Sequence, residues 1–280
     1  MTDRSEVDSG TVGVRAVLAA ELVKVGRLWV LVPAIGVPLL LTVLGTLLVT
    51  LALPADGAAV VDDGAARLPG TVGGLGEANG ATAGFRFVVV QVAQAMLCLF
   101  AVLVGAEYRH GTWKLLLVRQ PFRGRLVAGK LLAGAIVSSV AVLVSMVVGV
   151  GITAAFASAQ GIGMSSWSVV AVLRTYACAV FAVVAAGVLG AALGLLVRSS
   201  TAAIVIGLSW FLVVETAVVA APRLGEALSG WLPGQLVRAV TVGGDFVAGG
   251  TWGAAARLAG ICVAALGAAL LVFRTRNLGV

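Results

Sequence analysis

The segment Gly124 to Lys130, GRLVAGK, fills the first seven places of a phosphate-binding loop, Gly-x-x-x-x-Gly-Lys. Such a loop cradles nucleotide phosphates on backbone amides and needs Ser or Thr after the lysine to hold magnesium; that place is Leu131. No apolar strand leads into it, because Arg119, Pro121, Arg123 and Arg125 crowd the preceding residues. Nucleotide binding by this loop is not expected. His110 is the only histidine, and no acid and nucleophile surround it in a pattern that general-base chemistry requires, so it is read as an interfacial residue. Cys98, Cys178 and Cys262 fall in different apolar runs without metal-ligand spacing and are read as packing residues. Glu215 stands alone in another apolar run, and an intramembrane enzyme would need catalytic partners at the same depth. No catalytic centre, metal site or cofactor is expected on this chain.

The elements that position these residues follow from hydropathy. The chain is 60% hydrophobic and 11% charged with a mean hydropathy of +1.11, whereas soluble domains carry roughly 25% charged residues. A bilayer core needs about 20 apolar residues per helix. Six runs meet this, over about residues 28–53, 87–106, 131–157, 175–197, 201–221 and 252–273. They lack the two-residue alternation of a membrane barrel. The expected fold is an all-α integral membrane domain of six spans over 28–280, preceded by a cytoplasmic segment, 1–27. Pro33 and Pro38 predict a kink in the first span, which is too long for the apolar part of a signal peptide and is read as retained.

Lys and Arg mark the cytoplasmic side of short loops. With the amino terminus inside, the inner segments hold thirteen of the 19 cations and the outer ones six, so both termini are expected in the cytoplasm. The net charge of +7 is thereby an orientation signal, and no nucleic-acid-binding motif accompanies it. The outer loop, about 54–86, is Gly- and Ala-rich and is expected to be irregular. Val14 to Trp29 has the apolar arc of an amphipathic helix on the inner membrane surface, with Arg15, Lys24 and Arg27 at or beyond its edges and Glu21 inside it. Residues 222–250 are too apolar for an exposed loop and too broken for a full crossing; a short re-entrant or surface helix over Trp231 to Val240 is expected.

The most polar stretch is the loop 107–130 between the second and third spans. Glu107 ends a helix, where the dipole disfavours an acid unless a cation pairs with it; Arg109, Lys114, Arg123 and Arg125 are the candidates, and the alternative is an interfacial acid that is simply solvated. Gly111 permits a sharp turn, Thr112 can cap a short helix, and Pro121 stops it. The order Glu107, Gly111-Thr112, Leu115 to Leu117, Pro121, Arg123, Gly129-Lys130 resembles the loop of the type-2 permease family of ATP-binding cassette transporters, as does the whole plan of amphipathic helix, six spans and broken segment before the last span. Gln120-Pro121-Phe122 departs from that pattern, in which a small polar residue commonly follows the proline.

The resemblance implies a dimer, of identical or paralogous permease subunits, bound to two cytosolic ATPase subunits that carry the ATP and magnesium. It makes 107–130 a coupling loop, with Glu107, Gly111, Thr112, Lys114, Arg119, Pro121, Arg123 and Lys130 as coupling residues and the helix bearing Arg15, Glu21, Lys24 and Arg27 as its brace. Arg119 and Arg123 are the cations expected to meet ATPase carboxylates. The implied function is a non-enzymatic exporter subunit, multi-pass in a bacterial inner membrane; the alternative is a stand-alone transporter or membrane scaffold without an ATPase.

Polar groups inside the spans have two readings each. Glu215 would contact substrate or a cation, or pair with Arg174, Arg223 or Arg238 at the outer rim. Gln91 and Gln94 would line a path or hydrogen-bond between helices. Gly187, Gly190 and Gly194 permit a close helix approach, within the chain or between chains.

Overall fold

The computed structural model describes residues 19, 23, 28–53, 71–109, 123–243 and 247–275. Among them every regular element is helical, and six helices are long and apolar enough to cross a membrane: Val30–Ala52, Gly80–Tyr108, Leu126–Ala159, Val169–Val197, Ser200–Ala220 and Gly250–Phe273. The protein is a multi-pass helical membrane protein.

The first helix, α1, runs over Leu28–Ala52 through both Pro33 and Pro38. Helix α2, Ala83–Arg109, and helix α3, Arg123–Ala159, follow on either side of residues 110–122. Helix α4 is Val169–Val197. The fifth crossing is composite: α5, Ser200–Ser209, a π-helical turn, Trp210–Val214, and α6, Glu215–Ala220. Two short helices, α7 at Pro222–Leu228 and α8 at Pro233–Val242, fold back before the last crossing, α9, Gly250–Thr275. Both α7 and α8 have proline in the first turn, where the missing N–H has no intrahelical role.

Helices α2 and α4 pack together along most of their length and form the centre of the bundle. Small residues make this possible: a Cβ on Gly190 would lie 2.1 Å from the Leu97 carbonyl oxygen, so only glycine lets the two backbones meet there. Gly187 and Gly194 likewise face Phe100 and Ala101 of α2, which makes the glycine face of α4 a contact within this chain. Helices α8 and α9 close the other side of α4, with Leu236, Val237, Ala239 and Leu258 fully buried. Thr42, Thr46 and Thr50 of α1 point inward, and the Thr42 and Thr50 hydroxyls return to carbonyls of their own helix at 2.8 and 2.9 Å.

Several elements differ from the sequence expectation. The helices α2, α3 and α4 begin earlier than their apolar runs and take in Arg86, Arg123 to Lys130, and Arg174. Part of the expected irregular outer loop is ordered: 3-10 turns at Val72–Gly76 and Gly80–Thr82 lie against the bundle end, with Leu75 fully buried and its carbonyl accepting from the Trp167 indole at 2.8 Å. Where a helix over Trp231 to Val240 is expected, the structure has α8, and a 3-10 turn, Ser229–Trp231, precedes it. The amphipathic segment with Arg15, Glu21, Lys24 and Arg27 lies outside the described residues.

Candidate functional site

The two helices that flank the basic loop are joined at its base. Glu107 lies half a turn from the end of α2, and Lys130 two turns into α3. Lys130 Nζ donates to Glu107 Oε1 at 2.6 Å, with side chains 2% and 4% exposed. Among the described residues the cation that meets this helix-end acid is thus Lys130, which the sequence analysis names as a coupling residue; the side chains of Arg109, Lys114, Arg123 and Arg125 lie outside the described residues. Both groups are buried, so neither is a surface that a soluble protein touches.

Neighbouring residues extend this brace across the bundle. Tyr108 packs edge-on against Phe273 near the end of α9, with ring centroids 6.4 Å apart. The Arg198 guanidinium stands 5.9 Å from the centre of the Tyr108 ring. Arg198 forms the turn between α4 and α5 in the left-handed region, at φ 57°, and its N–H closes α4 on the Gly194 carbonyl at 3.1 Å. Contacts from α2, α3, the α4–α5 turn and α9 therefore converge within three residues of the loop's first end. Sequence reading missed Tyr108, Arg198 and Phe273. The signal available was a single cation, Arg198, in an otherwise uncharged inner turn.

His110, Gly111, Thr112, Lys114, Arg119 and Pro121 lie outside the described residues. Arg123 opens α3. The positions flanking 110–122 are thus tied to four parts of the bundle.

Glu215 is 3% exposed, and the Gly234 N–H donates to both of its carboxylate oxygens at 2.9 Å. It therefore caps the first turn of α8, an end that carries unsatisfied amides and partial positive charge. The Gln235 amide and the Trp210 indole lie beside it. Among the described residues no arginine pairs with it. Gly234 is the residue that reasoning from sequence missed: a Cβ there would stand 2.4 Å from Glu215 Oε2. A π-helical turn, Trp210–Val214, immediately precedes Glu215 in the crossing, and the carboxylate points inward at α8.

Gln91 is exposed on the outside of the bundle and Gln94 is half-buried, so the two do not share an enclosed path within one chain. An apolar cleft of about 170 Å³ lies between α4, α5 and α9, lined by Leu97, Leu193, Trp210, Phe211 and Pro233 among others.

A family model described as "Protein of unknown function (DUF2705)" matches residues 72–221, from the outer 3-10 turns to the end of the fifth crossing. The chain belongs to the DUF2705 family. The matched region contains Glu107, Lys130, Arg198 and Glu215, and so both the braced loop and the acid that caps α8. No curated protein matches the chain.

Proposed function

We propose that this DUF2705 chain is the membrane-spanning subunit of an ATP-driven exporter. It hydrolyses nothing itself; it takes mechanical work from a separate cytosolic ATPase, two copies of which carry the ATP and magnesium, through the loop 107–130. A second permease chain, a copy or a paralogue, completes the transport unit in a bacterial inner membrane. The order of residues in the loop and the six-span plan support this reading.

The observation that carries it is the buried Glu107–Lys130 pair. A loop that only marked orientation would need charge but no clamp at its base. Here a push on the segment between α2 and α3 would move both helices together and, through Tyr108, Phe273 and Arg198, the adjoining crossings. Gln91 supports a partner chain, because a carboxamide exposed within a crossing is costly against lipid and is satisfied at a helix interface. The apolar spans and the cleft beside Trp210 fit a hydrophobic or amphipathic cargo.

The test is a crosslinked pull-down of the tagged chain from its native membranes, with mass spectrometry of the captured partners, beside an Arg119→Glu, Arg123→Glu variant. Recovery of an ATP-binding cassette subunit with the wild type, and its loss with a variant that still inserts, is the expected result. Absence of any such subunit under crosslinking makes a stand-alone transporter or scaffold the better reading.

A further inference from the structure

An arginine removed from water is costly unless its guanidinium is fully engaged. Arg86, in the first turn of α2, is 6% exposed. Its Nη2 donates to the Val242 carbonyl at the end of α8, while its Nη1 is buried with no hydrogen-bond partner. No described acid pairs with it. The 21 residues between Arg86 and Glu107 put this group about 32 Å along α2 from the brace, at the end that the charge rule places outside.

The Arg86 side chain lines a cavity of about 580 Å³. Four helix ends bound it, and three are amino-terminal: those of α2, α4 and α9. The ends of α4 and α9 present first-turn amides without intrahelical partners and partial positive charge, whereas α2 continues from the 3-10 turn Gly80–Thr82, whose Gly80 carbonyl already accepts from the Ala83 N–H. The Ser168 hydroxyl, at the cap of α4, makes no capping hydrogen bond and also faces the cavity. The fourth end is carboxy-terminal, and Arg86 itself covers its Val242 carbonyl. Arg174, one turn into α4 and exposed, adds a second guanidinium, and Asn79 and Thr241 add neutral polar groups. No acidic side chain lines the cavity among the described residues. Fixed charges and helix ends therefore favour one sign of ligand, and the volume is that of a small-molecule site.

We propose that this cavity binds a phosphate-class oxyanion, held between Arg86 and Arg174 and received by the first-turn amides of α4 and α9. Two sources share that chemistry. One is a soluble phosphate or phosphate ester. The other is the headgroup of an anionic lipid, whose chains would lie along Val169, Val170 and Leu173, which are 75%, 74% and 60% exposed beside Arg174. The site is independent of the exporter reading and would exist in a stand-alone membrane protein too.

The test uses the full-length chain in nanodiscs. In phosphatidylcholine discs, radiolabelled inorganic phosphate and glycerol 3-phosphate are titrated; in mixed discs, retention of phosphatidylglycerol is read by native mass spectrometry. Saturable binding of either soluble probe assigns a free phosphate ligand, and selective retention of phosphatidylglycerol alone assigns a headgroup; both support the site. Arg174→Gln, at an exposed position, is expected to weaken the bound species by roughly ten-fold or more through the loss of a charge-assisted contact, and Arg86→Lys, which keeps the charge, to weaken it through the loss of the guanidinium's forked donors. Arg223→Gln, an exposed arginine that does not line the cavity, is expected to change nothing. Failure of all probes, or equal weakening by Arg223→Gln, overturns the proposal. So does binding that emerges only in Asp245→Asn, since a carboxylate of the chain's own would then fill the place; Asp245 lies outside the described residues.

Discussion

Lys130→Met is the perturbation that tests the brace most directly. The Lys130 and Glu107 side chains are 2% and 4% exposed and 2.6 Å apart, so water neither screens their attraction nor can replace a lost partner. Removing the lysine takes a buried cation from a carboxylate at a helix end whose dipole already disfavours it. Breaking a buried pair from one side costs about 3–5 kcal/mol, whereas replacing both partners by neutral groups of similar size is often neutral or stabilising. Lys130→Met and Glu107→Gln are therefore each expected to destabilise strongly, and the double variant to recover most of the loss. The measurement is a double-mutant cycle on unfolding free energies in bicelles, read by steric trapping, with the coupling energy taken from the four proteins. A coupling below about 1 kcal/mol that weakens further with salt is the behaviour of a solvated surface pair, and it would refute the clamp. The recovered double variant then separates folding from force transmission: if the clamp couples, it inserts and binds its ATPase but transports less.

Gly190→Ala places a Cβ 2.1 Å from the Leu97 carbonyl oxygen and should cost about 1–3 kcal/mol by forcing α2 and α4 apart, while Gly260→Ala, with nothing within 4 Å, should be near neutral; thermal unfolding in detergent compares them. Glu215→Ala leaves the Gly234 amide without its acceptor and should lose about 1.5–3 kcal/mol. Hydrogen exchange at Gly234 to Leu236 should quicken in that variant and recover in part with Glu215→Gln; unchanged exchange would mean that the carboxylate does not cap α8. In a cysteine-free background, Asp62→Cys should react with a membrane-impermeant maleimide on intact cells and Lys114→Cys only after permeabilisation; the reverse pattern would invert the topology.

The apolar runs located all six crossings but began three of them late, because a run ends at the first charge and a helix does not. Arg86 lies inside α2 since its guanidinium can serve the carboxy-terminal carbonyl of α8. Arg174 lies inside α4 because it faces the outer cavity rather than lipid. Val242 and most of the cavity wall are far from these arginines in sequence, so neither placement was visible there. The short α8 was legible from its broken apolar pattern, yet its cap was not: Glu215 and Gly234 are 19 residues apart and meet only in the folded chain, between the fifth crossing and α8.

The same limit bears on how the loop's charges are counted. Six cations crowd 109–130, and from sequence each is as good a docking group as the next. The structure buries Lys130 against Glu107 at the base of the loop, and the proposed docking is therefore assigned to its tip, 110–122, which lies outside the described residues. A charge reversal at Arg119 should then lower partner capture without lowering stability, and a neutral residue at Lys130 should do the opposite. If Arg119→Glu instead unfolded the chain as Lys130→Met is expected to, Arg119 would belong to the bundle as well and would not be a docking cation.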